Sequence, residues 1–119
     1  MMPLVKVHYS NVLTKDILNS LSKSLSKLVG KTLVKSEGFV MVIFQQTELQ
    51  SFGLDSTTPS LFIELKNVGT LSPEITNILS AKITELCIGL INVEPSRIYL
   101  EFQESERHLW GWSGKTFST

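Results

Sequence analysis

A chain of 119 residues, 42% of them apolar, is long enough to bury one hydrophobic core and too short for a separate lid or cofactor domain, so a single domain over residues 1–119 is expected. Lys plus Arg and Asp plus Glu both total 11, which leaves none of the basic field that draws a protein to DNA or RNA, and no apolar run approaches the roughly 20 residues of a membrane span. The single cysteine, Cys87, excludes an internal disulfide, and Cys, His and Asp never cluster at ligand spacing, so neither a metal nor a cofactor is expected.

The start has no basic segment followed by an apolar core, the pattern of a signal peptide. The sequence reads as cytoplasmic; export without a signal peptide would leave no mark in it.

Leu4 to Tyr9 alternates, with Lys6 and His8 on one face and Val5, Val7 and Tyr9 on the other, the period of a half-buried strand. Thr14 then caps a helix whose apolar positions, Ile17, Leu18, Leu21, Leu25, Leu28 and Val29, recur at helical spacing, with Gly30 as its stop. Phe39 to Phe44 is a continuous run of β-branched and aromatic residues, which predicts a strand buried on both faces near the middle of a sheet.

The order then restarts. Leu61 to Lys66 reads as a strand, and Ser72-Pro73 opens a helix carrying Ile75, Ile78, Leu79, Ile83, Leu86, Cys87 and Leu90 on one stripe. Ile98 to Phe102 supplies the fourth strand. Phe44-Gln45-Gln46-Thr47-Glu48 with Phe52-Gly53 is echoed by Phe102-Gln103-Glu104-Ser105-Glu106 with Trp110-Gly111, each position 58 residues on. Duplicated β-α-β units, over about residues 3–53 and 60–111, predict an α+β two-layer sandwich: a four-stranded mixed sheet with two helices on one face. The uncovered face, expected to be rich in Val, Ile and Phe, predicts an oligomer packed through its sheets.

Several stretches together resemble the macrophage migration inhibitory factor family of the tautomerase superfamily. They are Met2-Pro3-Leu4-Val5, Leu28-Val29-Gly30-Lys31, Ser51-Phe52-Gly53, Lys66-Asn67-Val68-Gly69, Arg97-Ile98-Tyr99 and the ending from Trp110 to Phe117. The resemblance covers nearly the whole chain. It implies a homotrimer with pockets at the subunit boundaries and a phenylpyruvate-type keto-enol tautomerase, an isomerase whose general base is an N-terminal proline. A cytokine-like, non-catalytic binding trimer with a protein receptor is the alternative.

Residue by residue, Pro3 matches the catalytic proline. A lysine that pairs with the substrate carboxylate is matched by Lys31, the preferred residue because Gly30 and the Ile17-to-Leu28 stripe set the register, with Lys35 as the alternative when the match slides to the segment before Phe39. Val68 matches a position whose backbone amide touches the substrate, Tyr99 an aromatic supplied by the neighbouring subunit, and Trp110 and Phe117 the apolar walls. The thiol-disulfide chemistry attributed to a Cys-x-x-Cys pair has no counterpart, because Ser60-Leu61-Phe62-Ile63 holds no cysteine.

Each of these residues also has a purely structural reading: a rigid strand start for Pro3, a solvated helix-end cation for either lysine, and packing for the aromatics. Met2 decides between the readings of Pro3. Initiator removal requires a small second residue, so Met1 ahead of Met2 is expected to be retained, and an acylated proline nitrogen has no lone pair to act as a base. Translation starting at Met2, followed by its removal, leaves Pro3 as a free secondary amine.

Overall fold

The computed structural model describes residues 3–118. Met1 and Met2, on which the state of the Pro3 nitrogen depends, lie outside them.

Strand β1 (Pro3–Tyr9) buries Pro3, Val5, Val7 and Tyr9 and leaves the alternate side chains partly exposed, as its alternation predicts. Helix α1 (Lys15–Thr32) is capped by the Thr14 hydroxyl, which accepts from the Ile17 N–H, and it buries Leu21, Leu25 and Val29. Strand β2 (Met41–Gln46) runs parallel to β1; β3 (Leu61–Val68) runs antiparallel to β1. Helix α2 (Pro73–Leu90) repeats the device of α1, with Ser72 as cap and Pro73 in the first turn, and leads to β4 (Ile98–Ser105), parallel to β3. The sheet order is β2-β1-β3-β4. A two-stranded ribbon, β5 (Gly111–Trp112) and β6 (Lys115–Thr116), ends the described chain.

One core joins both helices to one face of the sheet: Val5, Val7 and Tyr9, then Ile63 and Leu65, pack with Leu21, Leu25, Val29, Leu79, Ile83 and Cys87. Full burial of each such side chain contributes about 1.5–3 kcal/mol, which makes this layer the main stabilising term. Leu90, which its spacing assigns to the α2 core stripe, is exposed: it lines an open hollow with Leu86 of α2 and Ser24 and Leu28 of α1, while Cys87 of the same turn faces the core. Burial pushes the Cys87 thiol up to about 12, so it behaves as an apolar core group.

Three expectations fail for physical reasons. Phe39 to Phe44 is not a central strand: β2 begins at Met41, stands at the sheet edge and leaves Met41 54% exposed. Gly30 does not stop α1, which continues to Thr32. Instead its missing side chain makes room for the returning backbone, since a Cβ there would meet the Lys35 carbonyl oxygen at 2.9 Å and the Glu37 Cα at 3.1 Å.

Third, the open face of the sheet is mixed rather than uniformly apolar. By register it carries Lys6 and His8 on β1, Glu64 and Lys66 on β3, and Glu101 and Gln103 on β4, together with Leu4, Met41, Ile43, Phe62 and Tyr99. His8 Nε2 and Glu64 Oε2 pair there at 2.8 Å, and this hydrogen bond holds the Glu64 carboxyl below its usual range. Exposed apolar surface gathers at the two ends of the sheet instead: Leu49, Leu54, Phe62 and Tyr99 at one, and Val34, Phe39, Met41 and Trp112 at the other.

Candidate functional site

The end of the sheet where β1 begins and β3 finishes is built by the way α1 terminates. The Lys35 N–H donates to the Gly30 carbonyl at 2.7 Å and the Val34 N–H to the Lys31 carbonyl at 3.2 Å, the paired bonds of a Schellman cap. That cap places Val34 in the left-handed region, with φ 55°. Such a backbone costs a residue with a Cβ about 1–2 kcal/mol. The cap reverses the chain, and Lys35 points back across the sheet end.

The Lys35 ammonium donates to Asn67 Oδ1 and to the Val68 carbonyl, both at 2.8 Å. Asn67 is 3% exposed and is the register partner of Pro3 across the β1–β3 ladder, so lysine, amide and proline meet at one corner. Pro3 itself is buried. Burial lowers the Lys35 pKa from the ordinary lysine range, and among the described residues no carboxylate forms an ion pair with it. A desolvated cation held by neutral acceptors favours an anionic ligand and lowers the proton affinity of any amine beside it.

After Val68 the chain turns at Gly69, with φ 117°, and the Gly69 N–H donates to the Ser105 carbonyl at 3.0 Å, tying the end of β3 to β4. Beside Lys35 lies a hollow of about 300 Å³ lined by Val34, Lys35, Ser36 and Phe39. The Phe39 ring meets Trp112 edge-on, with centroids 5.5 Å apart, which brings the C-terminal ribbon to the same corner. Trp110 and Phe117 anchor that ribbon; both are half-buried, and the Phe117 N–H donates to the Trp110 carbonyl at 3.1 Å.

Of the two lysines weighed from the sequence, the structure therefore brings Lys35 to Val68 and Pro3. Lys31 stands exposed in the last turn of α1, and its ammonium has no hydrogen-bond partner among the described residues. Three residues that the sequence did not single out join the site: Asn67, Phe39 and Trp112. An amide falling on the inward, otherwise apolar face of an alternating strand, after Leu61, Ile63 and Leu65, is the available signal for Asn67.

Tyr99 is not at this corner. It pairs in register with Phe62, whereas Val68 pairs with Ser105, six positions further along β4 and about 20 Å away at about 3.3 Å per residue. There Tyr99 leans on Phe52, with ring centroids 4.7 Å apart, beside a second hollow of about 340 Å³. Arg97 fixes that end: its guanidinium donates to the carbonyls of Phe52, Asp55, Thr58 and Pro59, each at 3.0 Å.

The profile of the family described as "Macrophage migration inhibitory factor (MIF)" matches residues 2–118. The chain belongs to the macrophage migration inhibitory factor family. A homologue of that factor from Trichinella spiralis is 29% identical over 98% of this chain and 100% of its own length, and one from Brugia malayi is 27% identical over 91% and 93%. Among solved structures, a MIF homologue from Prochlorococcus marinus is 29% identical, with a TM-score of 0.88, covering 96% of this chain and 98% of that one. MIF from Toxoplasma gondii is 25% identical, with a TM-score of 0.90 over 95% and 98%. The two-helix, four-stranded fold is thus that of the MIF-like members of the tautomerase superfamily. No helix among the described residues is long and apolar enough to cross a membrane.

Proposed function

We propose that this MIF-family protein is a keto-enol tautomerase of phenylpyruvate-type α-keto acids, acting as a homotrimer with the Pro3 amine as its general base and Lys35 as its carboxylate-binding cation. The observation that carries the reading is the corner itself: a half-buried ammonium without a carboxylate partner among the described residues, bonded to Asn67 Oδ1 and the Val68 carbonyl, next to the first residue of β1.

The chemistry follows from those groups. The substrate carboxylate pairs with Lys35 and its aryl group lies toward Phe39, Trp112 and the half-buried Trp110 and Phe117. Freed as an amine, Pro3 takes a proton from the carbon beside the keto group, and the electron pair shifts to make the enolate. The same nitrogen then returns the proton to the enolate oxygen. An α-amino group ordinarily titrates near ~8, and the Lys35 charge together with burial lowers that value, so the free base is present at neutral pH.

A trimer accounts for the separation of Tyr99 from this corner. Within one chain the two lie at opposite ends of the sheet, and both ends expose apolar side chains beside an open sheet edge. Head-to-tail association that closes into a ring brings one subunit's Tyr99 end to the next subunit's Lys35 end.

The test is phenylpyruvate turnover by protein whose first residue is shown by mass to be Pro3. Turnover that is lost on Pro3→Gly, and that is absent when Met2 remains attached, supports the reading. An inactive Pro3-initiated protein refutes it and leaves the non-catalytic, receptor-binding trimer, whose partner binding would survive Pro3→Gly.

A further inference from the structure

Val34 closes the α1 cap through its backbone, while its side chain lies outside the hydrophobic core. It occupies the left-handed position of the α1 cap, φ 55°, where glycine or asparagine fits without strain and a branched Cβ fits worst. Its side chain is 91% exposed, so no core packing compensates for the strain. That side chain nevertheless forms one wall of the hollow it shares with Lys35, Ser36 and Phe39, and Trp112 stands behind Phe39. A strained, exposed aliphatic group beside a cation that has no carboxylate partner among the described residues is placed as a ligand contact is placed, with hydrocarbon next to charge.

We propose that Val34 is a specificity-determining residue. Its isopropyl group, with Phe39 and Trp112, forms the apolar wall that receives the hydrocarbon part of a carboxylate ligand whose charged end sits on Lys35. The assignment rests on the reading of the Lys35 corner as the ligand site. It selects aryl-bearing over small carboxylates by contact area. Val34 and Lys35 are adjacent in the chain, so the cap fixes the distance between wall and charge.

Two non-reacting probes, phenylacetate and acetate, test this by NMR titration of the full chain, wild type, Val34→Gly and Val34→Asn. Asparagine tolerates the left-handed backbone without the added freedom of glycine, so it separates loss of the wall from loosening of Lys35. Both variants should unfold at higher denaturant concentration than wild type, because the strain is gone. Both should bind phenylacetate about five- to tenfold more weakly while acetate binding stays unchanged, the loss expected for a few buried methyl-sized contacts.

Unchanged phenylacetate binding in both variants overturns the proposal. So does an equal loss for acetate, which would mean that Lys35 has moved, and so does a wild-type protein that does not prefer phenylacetate. The binding difference, with no tautomerisation by the Pro3-initiated protein, supports the wall while overturning the catalytic reading.

Discussion

Replacing Gly30 by alanine is the perturbation that most directly links the fold to the site. In an ordinary helix interior the change stabilises by about 1 kcal/mol through propensity alone. Here the new Cβ would stand 2.9 Å from the Lys35 carbonyl oxygen and 3.1 Å from the backbone of Glu37, distances that only a movement of the 35–37 backbone can relieve. Such a movement stretches the 2.7 Å bond from the Lys35 N–H to the Gly30 carbonyl and the two 2.8 Å bonds of the Lys35 ammonium. Losing the backbone bond costs about 1 kcal/mol, and weakening two charge-assisted bonds costs about 2 kcal/mol more. Set against the propensity gain, Gly30→Ala is destabilising by about 2 kcal/mol. Denaturant unfolding at pH 7 measures the loss, and ¹⁵N-detected NMR of lysine side chains follows the Lys35 ammonium, whose pKa should move back toward the ordinary lysine range as it leaves its buried seat. A variant as stable as wild type with an unmoved Lys35 signal would refute the reasoning.

The His8–Glu64 pair predicts an acid response. Glu64 titrates below its ordinary 4.5 in the folded state, chiefly through its hydrogen bond to His8, so its contribution to stability is present above pH 4.5 and is lost as pH falls through the lowered value. In Glu64→Gln that part of the acid limb of an unfolding-versus-pH profile should flatten, and a double-mutant cycle with His8→Ala should give a coupling of about 0.5–1 kcal/mol. At the other end of the sheet, Arg97→Ala removes the donor to four loop carbonyls. Stability should fall by about 2 kcal/mol, and limited proteolysis should then cut first between residues 52 and 59, where those carbonyls lie.

Where local chemistry decides local structure, the sequence was sufficient. The β1 alternation, the Thr14 and Ser72 caps and, apart from Leu90, the two apolar helix stripes stand where their spacing puts them, because each depends on neighbours within a turn or a strand. The failures share one cause, which is that the deciding contact is distant in the chain. Glycine often ends helices, which makes Gly30 look like a stop, but its role is to admit the backbone of Lys35 and Glu37, a tertiary contact. The same cap adds residues between Gly30 and the sheet, which is why Lys31 and Lys35 could not be separated by register.

The apolar run around β2 signals burial, yet within one chain this strand has a free edge. Its outer edge is left unpaired and Met41 stays exposed, so the run's hydrophobicity overstates its burial within one chain. The charges across the middle of the open face escape a residue-by-residue reading for the opposite reason. Lys6, His8, Glu64 and Lys66 were visible singly, but only the register places them side by side.

The central claim is that Lys35, held by Asn67 and Val68, tunes and serves the Pro3 amine. It is tested most directly by the pH dependence of phenylpyruvate turnover in Pro3-initiated protein, compared with Lys35→Gln and Lys31→Gln. The account predicts an apparent base pKa in wild type below the ~8 of an ordinary α-amino group, a rise of about one unit with at least a tenfold loss of kcat/KM in Lys35→Gln, and a wild-type profile in Lys31→Gln. A Lys35→Gln profile that overlays wild type, or an equal loss in Lys31→Gln, would contradict it.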